Sequence, residues 1–239
     1  MLKSKDTRSA NGRIYGCDIP DEDNSFDEGL VTEVKESAAA FFAHCRGSHD
    51  WDHTLRVLRL CERIGSDELA DLQVVRVAAL LHDIGRSDQD DANGSLCHAR
   101  QGVRLAAPIV ANLPLTDDKK QNVLHCIAAH RFRGRIEPDT VEARVLFDAD
   151  KLDAIGAVGV ARAFLFAGEV GARLHNPDAS VEESLPYTTD DTGYREYRVK
   201  LCRIKERMLT ATGRKLAERR HQFMEEFFQR FLQEYDGKG

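Results

Sequence analysis

Residues Val74 to Gly85 read V-V-R-V-A-A-L-L-H-D-I-G. Seven of the eight residues from Val74 to Leu81 are apolar and Arg76 is the exception, so a helix here is apolar nearly all round and belongs at the centre of the fold. It ends in His82 and Asp83. A buried polar group without a partner costs roughly 2–7 kcal/mol, and an isolated ion more, so this imidazole and this carboxylate need compensation. One source is a hydrogen bond to another side chain. The other is a divalent cation, which also sits favourably at the negative end of the helix dipole.

Upstream, Phe26 to about His44 carries Leu30, Val34, Ala38, Phe41 and Phe42 at helical spacing, and Arg46-Gly47-Ser48 stops it. The next helix runs from about Trp51 to Ile64, capped by Ser48 or Asp50, with Val57, Leu60 and Ile64 on one face and Arg56, Arg59 and Arg63 on the other. His53 stands four, seven and eleven residues before that apolar trio and points inward with it. His49 reads as a cap or a supporting residue, because the helix is only beginning there.

Downstream, Arg86 to Ser95 reads as a polar loop. A helix is expected from about Leu96 to Asn112, with His98, Gly102, Leu105 and Ile109 in one row. Another is expected from Asp117 to Arg131, in which His130 shares a face with Val123, Cys126 and Ile127. His125 is turned about 140° away from His130, so the two cannot aim at one point, and the apolar company of His130 favours it. Pro138-Asp139-Thr140 opens a long helical region in which Asp150 falls within the row Leu146, Phe147, Ala154 and Ala157. Gly156 and Gly159 either admit a close neighbour or mark a break between two helices. Gly168 to Thr192 is an irregular stretch of about 25 residues, long enough to be a lid or a mobile segment. From about Tyr194 to Tyr235 the pattern is helical again, interrupted near Thr212-Gly213. Phe223, Phe227, Phe228 and Phe231 form a stripe that reads as core or as the contact of a homodimer. No strand alternation, internal repeat or low-complexity tract is found, and the expected fold is all-α.

Lys and Arg number 34 against 40 Asp and Glu, for a net charge of −6, without a basic block. This argues against a protein that grips duplex nucleic acid through its phosphates. Six cysteines, Cys17, Cys45, Cys61, Cys97, Cys126 and Cys202, are scattered without a C-x-x-C, as in a reduced intracellular protein. Neither the 7–15-residue apolar core of a signal peptide nor an apolar run of about 18 residues is found, so a cytoplasmic protein is expected, not a membrane one.

His53, the pair His82-Asp83 and Asp150 thus stand on otherwise apolar faces of different helices. Any one of them has an ordinary reading as a hydrogen-bonded core side chain; their coincidence points to a mixed nitrogen and oxygen site. Such a site suits Mg or a transition ion such as Mn, Fe, Co, Ni or Zn better than Ca. Water on such an ion drops from a pKa of 15.7 to about 7 and becomes a nucleophile without any Ser or Cys. Arg86, Lys151 and Arg131 are candidates to face the developing negative charge of a phosphate ester, with solvated surface as the alternative. His98 or His130 can donate a proton to a leaving oxygen, and Asp153 either orients a ligand or faces water. No G-x-x-x-x-G-K-[ST], G-x-S-x-G, H-E-x-x-H or G-x-G-x-x-G is present.

The order of His53, then A-A-L-L-H-D-I-G, then Asp150 within D-A-D-K-L-D-A-I-G-A-V-G-V-A-R resembles the HD superfamily of metal-dependent phosphohydrolases. S-H-D-W-D-H-T-L-R-V before the pair and G-A-R-L-H-N-P-D from Gly171 are similar to its small bacterial stand-alone branch. The resemblance covers roughly Phe26 to Leu232. Residues 1–25, polar and without periodicity, read as a flexible arm outside it; the resemblance implies a single-domain helical bundle, a hydrolase domain over 26–236 with the metal-site core at about 48–165 and C-terminal helices at about 194–235. It also implies that His53, His82, Asp83 and Asp150 hold a divalent metal ion, and that His98 and His130 stand where related branches recruit a second metal or phosphate. One departure is Glu196-Tyr197, where a His-aromatic pair is expected. The implied reaction is hydrolysis of a phosphate ester of a nucleotide or another small phosphorylated metabolite. Two alternatives stay open: a two-iron oxygenase on the same scaffold, and a non-catalytic nucleotide-binding module.

Overall fold

The computed structural model describes residues 22–42, 50–91, 96–131, 136–181 and 183–239. It is all-α. The helices, in chain order, are α1 (Glu22–Ala39), α2 (Trp51–Asp67), α3 (Leu72–Leu81), α4 (Arg86–Asp91), α5 (His98–Asn112), α6 (Asp117–Ala129), α7 (Val141–Asp153), α8 (Gly156–Glu169), α9 (Gly193–Val199) and α10 (Ala211–Tyr235). Short 3-10 turns follow α1 and α9. His49, Cys17 and Cys45 lie outside the described residues. The other four cysteines are free thiols.

As the apolar run dictates, α3 is the hub, with Val74 to Leu81 buried except for Arg76. Arg76 reaches Glu62 of α2 at 2.9 Å and so leaves the core without an uncompensated charge. Helices α2, α6, α7 and α1 pack around α3, α5 lies on α6, and α10 closes against α8. Four of the starts are fixed by an oxygen that satisfies an orphan N–H: Asp50 takes the amide of His53, Asp71 those of Gln73 and Val74, Thr140 that of Ala143 and Thr210 that of Gly213.

Three expectations are corrected. Arg86 to Asp91 is helix, not loop; its start continues directly from the His-Asp turn, where Arg86 donates its amide to Asp83 O. The buried row of α5 is Ala99, Gly102, Ala106 and Val110 with His98, whereas Leu105 and Ile109 are only partly buried. The interruption near the C-terminus falls at Met208 to Thr210, ahead of Thr212-Gly213, because Thr210 is the cap and Gly213 sits inside the first turn. Gly213 is required by Asp148, a buried acid two residues before Asp150 that points away from it. Asp148 accepts from the amides of Leu209 and Thr210 at 2.8 Å and from the Thr210 hydroxyl at 2.7 Å, and a Cβ at Gly213 would strike this carboxylate.

The glycine-rich stretch after Asp153 is a break: Ile155 is extended and Gly156 has φ +76°. The break turns α8 back on the end of α7, so that Arg162 donates to both the carbonyl of Asp153, at 3.1 Å, and its carboxylate, at 2.7 Å. The segment expected to be a lid begins in the last two residues of α8, Gly168 and Glu169, at the end far from Asp153; α8 is 14 residues long, or about 21 Å along its axis. Its ring contacts are Tyr187 on Phe166, and His175 on Tyr194, Phe231 and Tyr235. Of the aromatic stripe, Phe228 is core, stacked 4.4 Å from Tyr197, and Phe223 is exposed.

Candidate metal centre

Five helices deliver polar side chains to one buried point. His53 comes from the first turn of α2, His82 and Asp83 from the end of α3, His98 from the first residue of α5, His130 from the end of α6, and Asp150 from α7. The four imidazoles and Asp83 are buried. The donor atoms of His53, His82 and Asp83 all lie within 4.8 Å of one another, and so do those of Asp83, His98 and His130. Asp83 belongs to both sets. Its Oδ2 stands 3.8 Å from the Nε2 atoms of His53 and His82, and its Oδ1 stands 3.6 Å from His130 Nε2 and 3.8 Å from His98 Nε2. Asp150 joins through Oδ1, 3.5 Å from His53 Nε2.

All four rings turn the same nitrogen inward, because each Nδ1 is engaged elsewhere. His82 Nδ1 lies 2.7 Å from the carbonyl of Ala79, His130 Nδ1 2.7 Å from that of Ile127, His98 Nδ1 2.7 Å from Gln89 Oε1, and His53 Nδ1 2.7 Å from Asp153. The carbonyls and the amide oxygen can only accept, so Nδ1 of these rings carries the proton and Nε2 of a neutral ring carries the lone pair. Burial pulls His82 down to about 4 and His98 down to about 3, so both are neutral near pH 7. His82 Nε2 is buried with no hydrogen-bond partner among the described residues. That is an expensive arrangement for a nitrogen lone pair unless a cation takes it.

The charges around these rings are set from outside. Burial alone would lower His53, but its hydrogen bonds to the carboxylates of Asp150 and Asp153 overcome it and raise the ring to about 9. A cation taking its Nε2 therefore displaces a proton. Burial likewise pushes Asp150 and Asp153 up, and is overcome in both: Lys151 and His53 hold Asp150 well below the usual carboxylate range, and His53, Arg56 and Arg162 hold Asp153 low. The sequence puts Arg56 on a solvated face, but it grips Asp153 with two bonds, 2.7 Å and 3.0 Å, and Arg162 adds a third. Lys151 is buried and committed, at 2.6 Å each, to Asp150 Oδ2 and to the carbonyl of His130. Arg131 donates to Cys97 Sγ at 3.2 Å, and His125 pairs with Asp139 away from the cluster. Gln89 is a site residue that the sequence does not mark, since a polar side chain in an Asp-rich stretch carries no periodic signal.

The donor set fits a divalent ion. Ligands about 2.1 Å from one ion stand about 3.0–3.4 Å from each other; here Asp83 Oδ2 is 3.8 Å from the Nε2 atoms of His53 and His82, His53 Nε2 is 3.5 Å from Asp150 Oδ1, and the donor atoms of each set lie within 4.8 Å of one another, so a small inward shift completes the shell. The nitrogen and carboxylate mix matches Mn, Fe, Co, Ni, Zn or Mg. Asp153 is then a support: it holds His53 in one tautomer and orientation. Asp153→Asn keeps the shape but removes the charge that Arg56 and Arg162 clamp, and is expected to weaken Mn(II) affinity about 10–100-fold by calorimetry. Unchanged affinity would deny Asp153 that role.

Fold and site together define an all-helical protein with a buried histidine and carboxylate centre suited to divalent ions. The HD-domain family model matches residues 50–155. The uncharacterized protein YpgQ of Bacillus subtilis is 36% identical over 193 residues, which cover 79% of this chain and 85% of that protein. The crystal structure of YpgQ in complex with ADP aligns with a TM-score of 0.67 at 32% identity, over 87% of this chain and 96% of that one. A protein from an uncultured Thermotogales bacterium, described as a predicted HD superfamily hydrolase, aligns with a TM-score of 0.60 at 31% identity, over 87% and 92% of the two chains. The chain belongs to the HD-domain family. Among the described residues, no helix is long and apolar enough to cross a membrane.

Proposed function

We propose that this protein is a metal-dependent phosphohydrolase that hydrolyses a phosphate ester of a nucleotide or another small phosphorylated metabolite. The observation that carries the reading is the common orientation of the four imidazoles, each with Nδ1 anchored and Nε2 turned towards the shared Asp83. His53, His82, Asp83 and Asp150 would hold the ion, which when bound supplies a water acidified to a pKa of about 7. The buried lone pair of His82 Nε2 supports this, as does the family.

The chain's own residues do the rest. Lys151 neutralises Asp150 and holds it at a fixed height on α7; Asp153 fixes His53. Around the cluster the less buried side chains are Asp150 and Arg86, 17% and 16% exposed, so a substrate approaches over these two. Arg86 brings the cationic charge that a phosphoryl group needs at that opening. His98 and His130, each with Nδ1 engaged, turn Nε2 inward; either can take a proton there and pass it to a leaving oxygen. The ADP complex of YpgQ supports a nucleotide as the substrate.

The test is phosphate and pyrophosphate release from nucleoside mono-, di- and triphosphates by protein loaded in turn with Mn, Mg, Co and Ni. Turnover with at least one ion, abolished by chelation and restored by that ion, is expected. Stoichiometric metal binding with no release from any nucleotide or simple phosphomonoester would overturn the assignment.

A further inference from the structure

The two oxygens of Asp83 serve two neighbourhoods, and the second is crowded in a particular way. The Nε2 atoms of His98 and His130 are 3.2 Å apart, and both face Asp83 Oδ1. With Gln89 and the Ile127 carbonyl engaging the two Nδ1 atoms, the inward nitrogens bring lone pairs to the same point as a carboxylate oxygen. Three electron-rich atoms so disposed repel one another unless a proton or a cation stands among them. By ligand type and spacing they make a second divalent-ion position.

A cation is already there. Nη2 of Arg86 lies 3.3 Å from Asp83 Oδ1, 3.4 Å from Oδ2 and 3.5 Å from His98 Nε2. The guanidinium is delivered by the first residue of α4, three positions past Asp83, and its Nε is buried without a hydrogen-bond partner among the described residues. An arginine placed only for an ion pair would turn that N–H towards an acceptor or water. Guanidinium cannot lose its charge in a protein, so an ion entering this triad must drive Arg86 out.

We propose that Arg86 is the built-in cation of the Asp83, His98 and His130 triad, and that the centre accordingly takes one divalent ion per chain, on the His53 and His82 side. This rests on the reading above that His53, His82, Asp83 and Asp150 hold an ion. The test is Mn(II) titration of the full-length, metal-stripped protein by equilibrium dialysis, with the saturated sample read by electron paramagnetic resonance.

The wild type is expected to bind one Mn(II) with the six-line signal of an isolated ion. Arg86→Met, which keeps the bulk and removes the charge, is expected to bind two and to show the broadened, exchange-coupled signal of a pair; Arg86→Lys is expected to stay at one. Should Arg86→Met fail to fold by circular dichroism, Arg86→Gln is read in its place. Two ions in the wild type, or one in folded Arg86→Met or Arg86→Gln, overturns the proposal and leaves the metal reading standing. No Mn(II) bound by the wild type brings down both.

Discussion

Asp83→Asn and His82→Ala are expected to lose at least ~100-fold in turnover with the best metal, and Asp83→Asn to lose more. The order follows from position. His82 offers one nitrogen to one side of the cluster, whereas the two oxygens of Asp83 face His53 and His82 on one side and His98, His130 and Arg86 on the other. Asparagine keeps the volume and one carbonyl oxygen, so a loss in Asp83→Asn reports charge and coordination rather than a collapsed core. His82→Ala removes a fully buried ring and leaves a cavity, so its rate is read with its melting temperature and its bound metal. The pattern sought is a folded protein that has lost metal and rate together. A folded Asp83→Asn protein with near-normal rates would remove the mechanism, because no other carboxylate reaches both halves of the cluster among the described residues.

The inward histidines were legible because a helical period of 3.6 sorts residues by face, and an imidazole among apolar neighbours stands out from that sorting. The central helix, His53, His98, His130 and Asp150 were all found in this way. What supports them was not. Arg56 recurs with Arg59 and Arg63 at the spacing of a solvated face, and nothing local tells that its partner Asp153 lies 97 residues on. Gln89 and the helix that carries it were hidden in R-S-D-Q-D-D, which has no apolar period to read. Glycine misled in the other direction. Thr212-Gly213 reads as an interruption, yet Gly213 is helical and is small because Asp148 occupies the space its Cβ would take. Periodicity reports what a helix face meets on average, and these residues are defined by one partner distant in sequence.

Gly85 is the sharpest case of that kind, and Gly85→Ala is expected to cost both stability and rate. A Cβ at Gly85 would come within 2.6 Å of the Gly102 amide nitrogen and of the His98 carbonyl oxygen, and within 3.1 Å of the Gln101 carbonyl carbon. All three are backbone atoms of α5, so no side chain can swing aside; the helix start itself must move by nearly 1 Å to restore ordinary contact. Overpacking of this sort typically costs about 1–3 kcal/mol, which for a chain of this size lowers the melting temperature by about 2–12 °C. The moving turn carries His98, whose Nε2 is 3.5 Å from Arg86 and 3.2 Å from His130. A shift of about 1 Å at a positioned group can cost about 100-fold in rate. Gly102→Ala is the internal comparison: its Cβ would stand 3.3 Å from the His82 carbonyl and 3.4 Å from Ile127 Cγ2, a strain that a few tenths of an ångström relieve, so its effects should be several times smaller. Equal melting temperatures and rates for the two alanine variants would mean that the close approach of the His-Asp turn to α5 does not hold His98 in register with Asp83.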